Sequence, residues 1–455
     1  MGGAACWQFA THYPGMWAAA APGAGFAETA EFFHVFAPGK TPPPWWEQVL
    51  WRWYDCTTMA ANLANVPTVA YSGEIDGQKQ AADIMVKYAK EEGIEFPHII
   101  GPQMPHKYDA ESKKKIEELV TAAATKGNEP QPKKVTLVTH SLKYNRVHWL
   151  TIDALDEHWE KARIDSEIVA NNGANEIVVK TQNVAAFSVD IVPADLIGRG
   201  AKLVVDGQDL GYQNMIGSLP LPGSDAPRSW WRYSAIKHAG KWGQRNPSPS
   251  ANTACIKRHD LEGPIDDAFM SSFLFVRPTG KPMNEKVGAW AKAEFDHSTE
   301  FWRRVFRGDA PLKDDTAITA DDIKNKHLVI WGDPSSNAVL KRMAALSFRE
   351  TGHSGDPLGM PYQWGQDTLE FNGVKYDAAH HAPILIFPNP LNPQKYIVLN
   401  SGPTFREEAL LNNSDQTPKL PDWAIVNLDT PPDGKWPGQI IDAGFFDEQW
   451  ALPKK

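Results

Sequence analysis

The hydrophobic pattern of the chain changes its period at the polar, proline-containing segment NEPQPKK, which begins at Asn128. Ahead of it, residues 1–127 alternate between helix-like and strand-like stretches. These are a helix near Cys6 to His12, the strand WAAAAPG from Trp17, a Pro/Trp-rich excursion, the strand PTVAYSG, a helix, the strand FPHIIGP and a last helix. Such alternation predicts a parallel sheet. The last helix, ESKKKIEELVTAAATKG, carries Ile116, Leu119 and Val120 at i, i+3 and i+4 with lysines opposite, and Gly127 is placed to end it. Beyond the segment, residues 128–215 read as short Val, Ile and Thr-rich runs from VTLVTHS to AKLVVDG, which predict a small all-β, sandwich-like module. The dipeptide Asp206-Gly207 within VVDGQDLG predicts a hairpin turn. Pro, Ser and Asn dominate residues 216–254, which read as a linker. Residues 255–455 then carry the strand SFLFVRP and a long helix from Met283 to Phe306. That helix sets Val287, Trp290, Ala291, Phe295, Trp302 and Phe306 on one face, and the strand HLVIWG and the paired runs ILIFPNP and KYIVLNSG follow. A second α/β domain is expected there.

A chain of 455 residues exceeds a single hydrophobic core, and 42% hydrophobic with 22% charged residues describes a globular chain. Lys and Arg number 46 against 55 Asp and Glu, a formal charge of -9 with no long basic run, so nucleic acid is not an expected partner. Cys6, Cys56 and Cys255 are too scattered for a disulfide framework or a thiolate metal site and read as small apolar residues. No stretch approaches the roughly 20 apolar residues that span a bilayer, and no basic region followed by an apolar core opens the chain. Neither a membrane span nor a signal peptide is read, and no cofactor or metal is expected.

Two loops of the first domain carry chemistry. Asp76 follows the strand PTVAYSG in YSGEIDGQKQ, and His106 follows FPHIIGP in GPQMPHKYD, so each stands at the carboxyl end of a parallel strand, where such sheets collect reactive groups. Singly, each has a plainer reading: Asp76 as a cap for the helix through Gln78 to Lys90, His106 as a surface histidine. Together, an acid and then a histidine on successive strand ends follow the chain order Ser, Asp, His of α/β-hydrolases. The small residues and helix that open the chain, MGGAACWQFATH, look like a strand-to-helix elbow just past its tip.

On these motifs, residues 1 to 125 resemble the second half of the catalytic domain of the prolyl oligopeptidase family of serine hydrolases. MGGAACWQFATHYPGMWAAAAPGAGF resembles the segment after the nucleophilic serine, YSGEID the strand and turn that bear the acid, and GPQMPHKY the histidine loop. The resemblance implies a partial α/β-hydrolase sheet and acyl transfer on a peptide or ester by a Ser-Asp-His triad. Asp76 is then the acid, His106 the base and the backbone N–H of Met1 an oxyanion donor. It places the serine immediately before Met1, so this chain alone is expected to be inactive, and a full-length form is expected to be secreted or periplasmic. The segments GDPSSN and GFFDEQW resemble accessory regions of large hydrolases of this type. The alternative is a non-catalytic binding or interaction protein derived from such a hydrolase.

No G-x-S-x-G occurs in the chain; the nearest, GHSGD at Gly352, lacks the final glycine. Cys6 sits one and a half turns into its helix and points away from an elbow nucleophile. GDPSSNAVLKRM at Gly332 follows a strand and opens a helix; it reads as a cap built from Asp333, Pro334 and Ser335 ahead of an anion site. His380-His381 lacks partners at metal-ligand spacing. Trp45, Trp46, Trp51 and Trp53 read equally as buried packing or as the border of a substrate pocket.

Overall fold

Glycine and alanine open the chain because its first helix sits close to its neighbours. In α1 (Gly2–His12), Ala4, Trp7, Ala10 and Thr11 are buried, and a Cβ on Gly3 would stand 2.1 Å from the Gly23 carbonyl oxygen. Only glycine allows that approach. The structure, a computed structural model, describes residues 1–171, 174–191, 201–212, 218–220, 227–229, 231–244, 256–347 and 359–452. It combines helices with several separate sheets. The chain divides into two compact units, Met1–Pro43 with Trp51–Ser248, and Pro44–Leu50 with Pro249–Lys455.

In the first unit, α1 leads to an extended segment and the short helix α2 (Thr29–Phe32). The segment expected as the strand WAAAAPG pairs in parallel with the next strand only through Ala20↔Thr68 and Gly23↔Tyr71. Its bonds run Ala20 N–H to Pro67, Val69 N–H to Ala20, Tyr71 N–H to Pro22 and Ala24 N–H to Tyr71. The register leaves one more bond, from residue 22 to the Val69 carbonyl, and Pro22 has no N–H to make it. A broken ladder is the result. After α3 (Trp45–Leu50), which belongs to the second unit, β1 (Ala70–Gly73) and β2 (His98–Gly101) pair in parallel. They alternate with α4 (Gln80–Glu91) and α5 (Ala110–Lys126). The Asp109 carboxylate accepts the Ser112 N–H at 2.8 Å to cap α5, and Gly127, at φ +76°, ends it.

The β module follows as two five-stranded sheets. One has the order β10-β9-β7-β6-β3 and the other β14-β13-β8-β5-β4. Their strands are β3 (Lys134–Thr139), β4 (Arg146–Val147), β5 (Leu150–Leu155), β6 (Ala162–Asn171), β7 (Ala174–Gln182), β8 (Val184–Ile191), β9 (Ala201–Val205), β10 (Gln208–Tyr212), β13 (Trp231–His238) and β14 (Lys241–Gln244). A two-stranded pair, β11 (Ser218–Pro220) and β12 (Pro227–Ser229), lies outside both sheets. Inward residues such as Leu137, Ile152, Ile164, Val179 and Phe187 form one shared core. The hairpin turn at Asp206-Gly207 has φ of +50° and +81°, the primed geometry that matches strand twist. The Asp206 carboxylate is used structurally, accepting from Thr181 and Trp242.

The segment expected as a linker, 216–254, supplies β13 and β14. Tyr233 and Ala235 point into the core while Arg232 pairs with Asp190 outside. The alternation was hidden because Pro and Ser-rich runs flank it on both sides. Strand β3 lies at the edge of its sheet, and two asparagines of the 3-10 helix Thr57–Asn65 cover that edge as a neighbouring strand would. Asn62 accepts the Val138 N–H at 2.7 Å and donates to the Val138 carbonyl at 2.8 Å and the Thr11 carbonyl at 2.7 Å. Asn65 repeats the pattern on Thr136. A side-chain amide thus stands in for a peptide group. Asn62→Ala, which leaves these buried groups unpaired, is expected to cost about 2–3 kcal/mol in urea unfolding of this unit. A loss below about 0.5 kcal/mol would mean the clamp carries no weight.

In the second unit a seven-stranded sheet has the order β16-β15-β17-β22-β21-β23-β24. Its parallel part comprises β15 (Phe273–Arg277), β16 (Leu312–Asp314), β17 (His327–Ile330) and β22 (Asn392–Leu399). The antiparallel part is β21 (His381–Asn389), β23 (Trp423–Asn427) and β24 (Gln439–Gly444). Helices α6 (Glu285–Phe306), α7 (Ala320–Asn325) and α8 (Ala338–Ser347) connect these strands, with a small three-stranded sheet of β18 (Tyr362–Trp364), β19 (Thr368–Phe371) and β20 (Val374–Asp377). Helix α6 buries Val287, Trp290, Ala291, Phe295 and Phe301; Phe306, expected on the same face, is exposed where the helix ends and packs, tilted, against Trp302. Segment 44–50 joins this unit because Lys419, buried, donates to Glu47 at 3.0 Å and to Asp415 at 2.6 Å.

Candidate active site

The turn after β1 is built to hold a carboxylate. Asp76 N–H bonds back to the Gly73 carbonyl, and Gln78 N–H donates to Asp76 Oδ1 at 2.8 Å, so the side chain closes a turn two residues ahead of α4. Asp76 is not the helix cap; Lys79 holds that position. The second oxygen, Oδ2, lies 2.9 Å from His106 Nδ1. The Asp76 side chain is 5% exposed and that of His106 63%. A carboxylate accepts and does not donate, so Nδ1 carries a proton and, in the neutral imidazole, the lone pair is on Nε2. Among the described residues nothing bonds Nε2. A buried acid therefore orients an exposed imidazole.

Other groups hold the histidine loop, and sequence reasoning missed them. Glu74 Oε2 accepts from both the Gln103 N–H at 2.7 Å and its Nε2 at 2.9 Å, while Glu74 N–H and Ile75 N–H bond Gly101 and Met104 across the same gap. Tyr71 Oη donates to the Lys107 carbonyl at 2.7 Å and its ring stacks on Tyr108 at 4.3 Å. A Cβ on Gly73 would stand 2.2 Å from the Met104 and Pro105 carbonyl oxygens, so glycine is required where the two loops cross. The only sequence signal was the placement of Tyr71 and Glu74 beside Asp76; their partners lie some thirty residues away.

Met1 stands at the N-cap position of α1, exposed, with its carbonyl accepting the Ala5 N–H at 3.0 Å. No bond joins it to Asp76 or His106 among the described residues. The amino end of α1 nevertheless meets the carboxyl end of the extended segment at Gly23, and a Cβ on Gly23 would touch Tyr108 Oη at 2.2 Å. The start of α1, Asp76 and His106 thus gather at one edge of the sheet, where its strands end. Burial pushes the Cys6 thiol above its ordinary range, which disfavours a thiolate there.

Elsewhere the loops resolve into structure. Asp333 Oδ1 accepts the Ser335 and Ser336 N–H groups at 2.8 and 2.9 Å, and Asn337 accepts from Val339 and Leu340 at the start of α8. These amides are occupied, as the capping reading of GDPSSN expects, with Asn337 in place of Pro334 and Ser335 completing the cap beside Asp333. His380 pairs with Asp429, and His381 bonds the Asp377 carbonyl and Asn427. Among the described residues no group of three or more His, Cys, Asp or Glu could hold a metal ion, and no helix is long and apolar enough to cross a membrane. Trp51 and Trp53 are buried in the first unit and Trp46 packs on the core of the second, while Trp45 stays exposed beside Phe445. GHSGD and Cys255 lie outside the described residues. A cavity of about 620 Å³ in the first unit lies where the strands begin, lined by Pro67, Thr68, Phe96 and Pro97, on the edge opposite His106. No protein family, curated protein or solved structure matches the chain.

Proposed function

We propose that the first unit supplies the acid and base of a serine hydrolase of prolyl oligopeptidase type, with an α/β-hydrolase sheet, acting on a peptide or ester. One observation carries this reading: the buried Asp76 carboxylate fixes Nδ1 of an exposed His106 at the strand ends where α1 begins. In the reaction, His106 Nε2 takes the proton from a serine hydroxyl as it attacks the acyl carbon, and Asp76 stabilises the imidazolium. The imidazolium then returns the proton to the leaving group. The N–H of Met1, at the start of α1, would face the oxyanion. The nucleophile in this reading is the residue just ahead of Met1.

Fluorophosphonate labelling tests it. The chain from Met1 is expected to remain unlabelled, and the product translated from in-frame codons upstream is expected to carry the label on a Gly-x-Ser serine adjoining Met1. Labelling of a serine within residues 1–455 would put the nucleophile elsewhere. An in-frame stop directly upstream would support the non-catalytic alternative.

A further inference from the structure

The sheet of the second unit has a point at which its strand order reverses. From β15 the chain passes through α6 to β16 on one side, then through α7 back past β15 to β17 on the other. Right-handed crossovers in opposite lateral directions place α6 and α7 on opposite faces, so the strand order reverses at β15, and the carboxyl ends of β15 and β17 flank the reversal. A cavity of about 320 Å³ occupies that position, between Arg277 at the end of β15 and Pro278 after it, Gly332 and Ser336 after β17, and one face of α6. Ligand sites in open α/β sheets form at such points, and the volume suits a small ligand.

The lining decides the ligand. The loop amides after β17 are consumed by Asp333 and Asn337, so recognition falls to side chains. Pro278, Ala291 and Phe295 make an apolar wall, while Arg277, Lys292 and Asp296 bring two positive charges and one negative. Arg277 gives Nε and Nη2 to Asp314, leaving Nη1 unengaged among the described residues. Lys292 and Asp296, one turn apart on α6, are exposed and, among the described residues, pair only with each other at 2.5 Å. Such a pair is weak and easily exchanged for ligand charges. We propose that this crevice binds a free α-amino acid with an apolar side chain, its carboxylate on Lys292 and Arg277, its ammonium on Asp296 and its side chain against Phe295. The site is independent of Asp76 and His106.

Saturation-transfer NMR titrations of the full chain test the proposal with L-phenylalanine, 3-phenylpropionate, which lacks the ammonium, and 2-phenylethylamine, which lacks the carboxylate. L-Phenylalanine is expected to bind about tenfold more tightly than either analogue. Lys292→Gln should weaken L-phenylalanine and phenylpropionate several-fold and leave phenylethylamine unchanged; Asp296→Asn should do the reverse with respect to the two analogues. Because both residues are exposed, neither change threatens the fold. Equal binding of the three compounds would overturn the proposal, as would no binding of L-phenylalanine up to about 10 mM or analogue affinities unmoved by Lys292→Gln and Asp296→Asn.

Discussion

In a product that carries the serine ahead of Met1, Asp76→Asn is expected to lower kcat roughly 10⁴-fold and His106→Ala by up to roughly 10⁶-fold, with little change in KM. The difference follows from the turn. Gln78 N–H needs an acceptor, so the amide introduced by Asp76→Asn would keep its oxygen there and turn its NH₂ toward His106 Nδ1. A donor at that position forces the proton onto Nε2, which can then no longer act as a base. The fold should be untouched, because the turn bond survives. Equal thermal stability with collapsed kcat is the expected pair of measurements. Activity retained in both variants would remove Asp76 and His106 from the chemistry.

Legibility in the sequence followed the range of the interactions. Periodicity and turn residues located α1, β1, β2, α5 with its Gly127 end, and the strands from β3 to β9, because each depends on neighbours a few residues away. Asp76 and His106 were also legible, since both stand directly after strands. The clamps around them were not. Glu74 reaches Gln103, Tyr71 reaches Lys107, and Asn62 reaches Val138, pairings that only the folded chain creates. Glu47 is the extreme case: its carboxylate meets Lys419 across 372 positions, which is why segment 44–50, read as an excursion of the first domain, belongs to the second unit. Composition also misled where a short strand pair lay between Pro and Ser-rich flanks, as at β13 and β14.

Acid should destabilise the first unit through two histidines that play no part in the proposed chemistry. His12 is 1% and His140 5% exposed. His12 Nδ1 lies 3.0 Å from the Gln8 carbonyl and His140 Nδ1 3.2 Å from that of Trp159, so each imidazole carries its proton there; each Nε2 is buried without a partner among the described residues. Burial pushes His12 down to about 4, against the Gln8 carbonyl and with the charge of His140 adding to it. Burial likewise pushes His140 down to about 4, helped by the charges of Arg52 and Lys161 and opposed by the Trp159 carbonyl and Glu160. The unfolded chain takes up these protons near pH 6.5, and the fold refuses them until about pH 4. Stability from this source is therefore complete above pH 6.5 and lost as pH falls toward 4, by roughly 3 kcal/mol per imidazole. Asp55, buried and bonded to Thr29, works in the opposite direction, because burial raises its carboxyl well above the usual range and its protonation favours the fold. Comparison with the double variant His12→Asn, His140→Asn isolates the imidazoles, since an asparagine Nδ2 can replace Nδ1 as donor while Asp55 is common to both proteins. Hydrogen exchange of β3 in urea, followed from pH 7 to pH 5, should show the parent losing stability with a slope steeper than the variant's by up to about 2.7 kcal/mol per pH unit. Parallel slopes would mean that both imidazoles are protonated inside the fold, and a difference of about half that size that one of them is.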